Sequence, residues 1–195
     1  TSLAIFVAVM FGSFMWVALT SFSTTTDNRN QAAANPSTIL RYNQNALTVT
    51  VGQEFTVPIE LVTGSKSIAV AEVLPTFDPA YFRAISLQNG TFLTTQLVAG
   101  GITSGGAGFT PLLVAKPVAI PASGMTGQGT LALVRFRALQ AGTSSLSFDQ
   151  TRSRAPEFNG AAENIIGTYQ AKSVIIQAPV IPPNTGIRQC TNMTA

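Results

Sequence analysis

Two hydrophobic patterns divide this chain. Residues 3–22 form an apolar segment, interrupted only by Gly12 and Ser13 as far as Leu19, and no charge precedes Asp27. At about 1.5 Å rise per residue, some 20 helical residues cover about 30 Å, the thickness of a bilayer core. A helix without a polar stripe is buried all round. Its expected packing residues are Leu3, Ile5, Phe6, Val9, Met10, Phe14, Trp16, Val17, Leu19 and Phe22. The helix is expected to run on through residues 27–34 and to end at Pro36, which lacks an amide donor and restricts the residue before it.

From Asn45 to Gln177 the period changes to two. Leu47, Val49 and Val51 alternate with threonines, and Phe55, Val57, Ile59 and Leu61 alternate across residues 54–62. Further apolar runs occupy residues 68–74, 82–87, 111–115, 130–139, 144–148 and 171–177. Strict alternation predicts strands with one buried and one exposed face. Turn signals separate them: Gly52, Gly64, Asp78-Pro79, Gly100-Gly101, Gly105-Gly106 and Gly142. Eight or nine short strands at this spacing predict an antiparallel β-sandwich.

The expected organisation is a hydrophobic polymerisation or membrane helix over residues 1–35 and a connector over 36–44. A sandwich over 45–177 and a Pro-rich tail over 178–195 complete it. The fold class is thus mainly β, with a long N-terminal apolar α-helix ahead of the sandwich. A body of roughly 130 residues buries enough apolar surface to fold without staples. That fits a chain whose one cysteine, Cys190, has no intramolecular partner.

Composition narrows the chemistry. Only 10% of residues are charged, the net charge is +3, and the basic residues form no stripe with interleaved aromatics. Nucleic-acid binding is not expected. No histidine is present, which removes the commonest general base and metal ligand. The carboxylates are scattered; Glu157 and Glu163 share one loop region and read as solvated charges. The glycine-rich residues 100–108 lack the Lys-Ser/Thr of a phosphate loop. No enzyme, cofactor or metal site is expected. Asn89-Gly90-Thr91 and Asn192-Met193-Thr194 match the N-glycosylation pattern, which makes Asn89 and Asn192 the candidate modification sites.

Two family resemblances rest on these residues. In the body, Val51-Gly52-Gln53-Glu54-Phe55-Thr56-Val57 resembles the opening of a cohesin domain, and Phe77-Asp78-Pro79-Ala80-Tyr81-Phe82 resembles its turn after the third strand. Gly127-Gln128-Gly129-Thr130-Leu131-Ala132 with Val134-Arg135-Phe136-Arg137-Ala138 is similar to its long central strand. Residues 141–148 are similar to the next strand. This resemblance implies a jelly-roll sandwich and, for true cohesins, a dockerin-like partner.

The leading segment resembles a type IV pilin, with an apolar run entered at once after Thr1-Ser2, as a processing peptidase would leave it. Position five holds Ile5, where many bacterial pilins carry glutamate, and the departure points to the archaeal type. This second resemblance implies a structural subunit of an extracellular, pilus-like filament at the cell surface. It would be membrane-inserted before assembly and would polymerise with copies of itself through the leading helix. The competing expectation is a membrane-anchored cohesin-like module that binds a protein or glycan partner.

Overall fold

A computed structural model of the chain describes residues 38–43, 46–117, 123–160 and 163–180. The chain divides into two units, Thr1–Ala34 and Asn35–Ala195, and every described residue belongs to the second. Twelve strands follow in order: β1 (Ile39–Tyr42), β2 (Leu47–Thr50), β3 (Glu54–Val62), β4 (Val70–Val73), β5 (Pro75–Phe77), β6 (Phe82–Asn89), β7 (Thr95–Val98), β8 (Leu112–Ala115), β9 (Gln128–Ala138), β10 (Gly142–Phe148), β11 (Thr168–Gln170) and β12 (Lys172–Gln177).

They form a five-stranded sheet in the order β11-β1-β3-β9-β6, a four-stranded sheet β2-β12-β10-β5 and a three-stranded sheet β4-β8-β7. Alternation does what its period dictates. In β3, Phe55, Val57, Ile59 and Leu61 are buried, and in β9, Val134, Phe136 and Ala138 are buried while Arg135 and Arg137 face outward. Between β2 and β3 the chain reverses at Gly52, whose φ of +86° suits glycine, with the Gln53 amide donating to the Thr50 carbonyl. Asp78 starts the next turn as expected: its side chain accepts the Ala80 amide at 2.9 Å.

Two expectations are corrected. The sandwich is not purely antiparallel, because β1 runs parallel to β11 and β12 runs parallel to β2. The expected fold, a long apolar helix followed by the sandwich, is corrected to a mainly β sandwich among the described residues. The described residues contain no α-helix, only a three-residue 3-10 turn at Ser104–Gly106, and among them no helix is long and apolar enough to cross a membrane. Leu3, Ile5, Phe6, Val9, Met10, Phe14, Trp16, Val17, Leu19 and Phe22 lie outside the described residues. The physical reason is one of period: the apolar positions of the described body repeat every second residue, which buries one face of a strand and leaves no helical stripe.

The core centres on Phe136. Its ring lies 5.7 Å from Phe55, 5.2 Å from Phe77, 5.8 Å from Phe82 and 5.6 Å from Phe109. Strands of two sheets and the segment before β8 thereby share one aromatic cluster. A second stack, Tyr42 on Phe148 at 4.5 Å, joins β1 to β10, and the Tyr42 hydroxyl donates to the Ser147 carbonyl at 2.7 Å. Burial pushes the Tyr42 phenol far above its ordinary value, so it stays a neutral donor.

Pro58 sits in a central strand. Its carbonyl accepts the Asn43 amide just past the end of β1, so its missing donor falls where the ladder stops. Glu60 on β3 is a buried carboxylate, satisfied by Arg41 Nε at 2.7 Å and Asn43 Nδ2 at 3.2 Å.

Candidate interaction face

The residues from Val70 to Phe77 would form one strand but break at Leu74. Its amide donates to Ser153 Oγ at 3.0 Å, and its carbonyl accepts the Asp149 amide at 3.0 Å. With both polar groups taken by residues 149–153, β4 pairs with β8 while β5 pairs with β10. The break is what gives the three-stranded sheet an outer face of its own.

Register sets what that face displays. Leu113 of β8 stands between Glu72 of β4 and Val98 of β7, and Ala115 stands between Val70 and Thr95. The alternate positions Leu112 and Val114 are fully buried below. In β7, Leu97 is an extra residue between the pairs Gln96↔Val114 and Val98↔Leu113. That bulge blunts the edge strand and leaves Leu97 54% and Val98 52% exposed.

On the far side of β4 the chain returns at Arg154, which exchanges both backbone bonds with Glu72 at 2.8 and 2.9 Å. The result is a groove of about 510 Å³ between Val98, Leu113, Val70 and Pro156. One ion pair crosses it, Arg154 Nε to Glu72 Oε2 at 3.0 Å; the glutamate side chain is 18% exposed and the arginine 65%.

Hydrogen bonds brace the groove wall, to which Asn164 itself belongs. Asn164 Oδ1 accepts the amides of Ala155 and Ile166, and Asn164 Nδ2 donates to the Tyr169 hydroxyl at 2.8 Å. Tyr169 donates in turn to the Ser153 carbonyl at 2.6 Å. Burial raises the Tyr169 phenol above its ordinary value, which keeps it a donor. The Asp149 turn closes the loop, its carboxylate held below the usual range by the Thr151 hydroxyl and by the Arg152 and Thr151 amides.

Such a surface is suited to packing side chains of another molecule. It is apolar, recessed and internally charge-balanced. Among the described residues no group of three His, Cys, Asp or Glu is placed to hold a metal. Glu157, one of the two loop acids, pairs with Lys66 at 2.9 Å. Asn89 ends β6, with its side-chain amide donating to the Thr94 carbonyl at 3.3 Å. Asn192 and Cys190 lie outside the described residues. Val98, Leu113, Glu72 and Arg154 were not singled out by sequence. The one available signal was the adjacent apolar pair Leu97-Val98 in a stretch without alternation.

A family model described as Cohesin domain matches residues 44–175. Among solved structures, the seventh ScaB type I cohesin from Pseudobacteroides cellulosolvens superposes with a TM-score of 0.58 at 15% identity, over 74% of this chain and 95% of that one. A type I cohesin–dockerin complex from Clostridium thermocellum gives 0.57 at 13% identity, over 73% and 93%. The sixth cohesin of scaffoldin B from Acetivibrio cellulolyticus, in complex with a dockerin, gives 0.57 at 17% identity, over 72% and 99%. At these identities the structural likenesses show the fold. A comparison with curated proteins returns no match.

Of the two resemblances, the cohesin one is the one these findings carry. The expected partner is corrected with it. The expected homopolymer through Leu3 to Phe22 is not what these findings carry: several of the solved neighbours are themselves complexes of a cohesin with a dockerin. Among the described residues the recessed apolar surface with an ion pair across it is a groove on the sandwich.

Proposed function

This chain belongs to the cohesin family, and from that premise we propose that it is a non-catalytic binding module. It holds a second protein of dockerin type on the outer face of β4, β8 and β7, outside the cell at its surface. The observation that carries this reading is the uncovered groove in which Val98, Leu113 and Val70 surround the Glu72–Arg154 pair. Apolar recesses with a polar rim supply the anchor pockets of protein interfaces. The solved neighbours captured with dockerins support the choice of partner.

The test is a titration of this chain against a panel of dockerins by calorimetry. At least one is expected to bind. Val98→Asp combined with Leu113→Asp is expected to weaken that binding by at least about tenfold, with an unchanged circular dichroism spectrum and melting temperature. Failure of every dockerin to bind, or undiminished binding by the folded double variant, overturns the proposal.

A further inference from the structure

The edge strand β6 of the five-stranded sheet carries a second feature. Register places Arg83 of β6 directly opposite Arg137 of β9, and Glu54 of β3 on the other side of Arg137. Like charges directly opposite each other destabilise a sheet. Glu54 makes its ion pair with Arg135, at 2.6 Å, and none with Arg137. No ion pair joins Arg83 or Arg137 to a carboxylate among the described residues. Three arginines thus share one acid, and two guanidinium groups are left with unspent donors.

The local backbone is shaped around them. At Gly106, φ is +77° and a Cβ would lie 2.6 Å from Arg83 Cγ, so a glycine there lets the turn lie flat against the Arg83 stem. Arg83, Arg137, Ile85 and Ile102 line a groove of about 370 Å³. Ile85 and Ile102 also line a second groove of about 560 Å³, which follows residues 85–89 of β6 and is walled by Gln96. β6 is the edge of its sheet and pairs only with β9 among the described residues. The trough therefore runs along the β6 edge and ends on two arginines that make no ion pair among the described residues.

We propose that this trough takes an extended acidic peptide segment, added as a strand to β6, with a carboxylate side chain held by Arg83 and Arg137. Strand addition uses backbone groups for affinity and alternate side chains for specificity. Guanidinium forks match a carboxylate in geometry and charge. Charge complementarity selects an acidic occupant. The open edge selects a polypeptide over a uronate polysaccharide, which would meet the arginines but not the amides.

The probes are a blocked alternating valine–glutamate hexapeptide, its valine–glutamine counterpart and hexagalacturonate, each titrated against the full chain with amide hydrogen exchange as a second readout. The glutamate peptide is expected to bind at least about tenfold tighter than the glutamine one. It should slow exchange at the amides of residues 85–89, and it should lose that advantage in the Arg83→Gln, Arg137→Gln double variant. The Leu113→Asp variant should bind it unchanged, which separates this site from the groove on β4, β8 and β7. Equal binding of both peptides, binding without protection of residues 85–89, arginine-dependent binding of hexagalacturonate alone, or no binding at all overturns the proposal.

Discussion

The outer faces of the five-stranded and three-stranded sheets differ in what stands at their outward positions. On the long strands β3, β6 and β9 those positions carry Glu54, Thr56, Arg83, Arg135 and Arg137, with Arg41 and Glu60 paired toward one edge. On the short strands β4, β7 and β8 they carry Val70, Leu113 and Val98 around one ion pair. Both sheets bury inward positions in the same core, the three-stranded one through β4 and β8, so the contrast lies in the outer faces alone. Charge on the first face keeps it in water, whereas the second is apolar enough to gain from being covered. The comparison teaches that outward chemistry is set separately from inward burial, since two sheets that share one core differ on their outer faces.

The largest effect is expected from breaking what the two faces share. Phe136→Ala removes the ring that touches Phe55, Phe77, Phe82 and Phe109, and should cost about 3–5 kcal/mol in a urea unfolding curve. A cost below about 1 kcal/mol would mean that the two sheets do not depend on a common core. A smaller effect sharpens the contrast between their ion pairs. Arg41→Ala leaves the buried Glu60 with Asn43 alone and should cost about 1–3 kcal/mol. Arg154→Ala, on the open pair of the groove, should cost less than about 1 kcal/mol in the same assay. Equal costs would erase the distinction between a pair that holds the fold and one that lines a surface.

The smallest effect has the opposite sign. Arg83→Gln relieves the like-charge pair with Arg137 and should stabilise the chain by about 0.2–1 kcal/mol at low salt. The gain should shrink as salt is raised, because at about 0.1 M the screening length is about 10 Å. A loss of stability on Arg83→Gln would show that the stem of Arg83, packed against Gly106, matters more than its charge.

Much of the sandwich was legible along the chain. The runs at residues 54–62, 82–87, 111–115 and 130–139 coincide with β3, β6, β8 and β9, because alternation is a local property of a half-buried strand. Four strands were not legible. β1 has four residues in the stretch read as connector, and β5 and β11 have three each, too short to show a period. β7 has no buried residue, so nothing alternates in it. The two-carboxylate reasoning about Glu157 and Glu163 did not reach the lysine that engages Glu157, which lies 91 positions away.

The sequence by itself determined the β class of the body, the inward set of Val57, Ile59, Val134 and Phe136, and the turns at Gly52 and Asp78, since each depends on neighbours a few residues apart. Only the tertiary structure decided where the sheet splits at Leu74, which arginines lack an acid and that Val98, Leu113 and Glu72 meet Arg154 on one face. The Glu72–Arg154 contact spans 82 positions. Register between strands so far apart is set by the global packing of the core, and no local pattern of hydrophobic and polar residues encodes it.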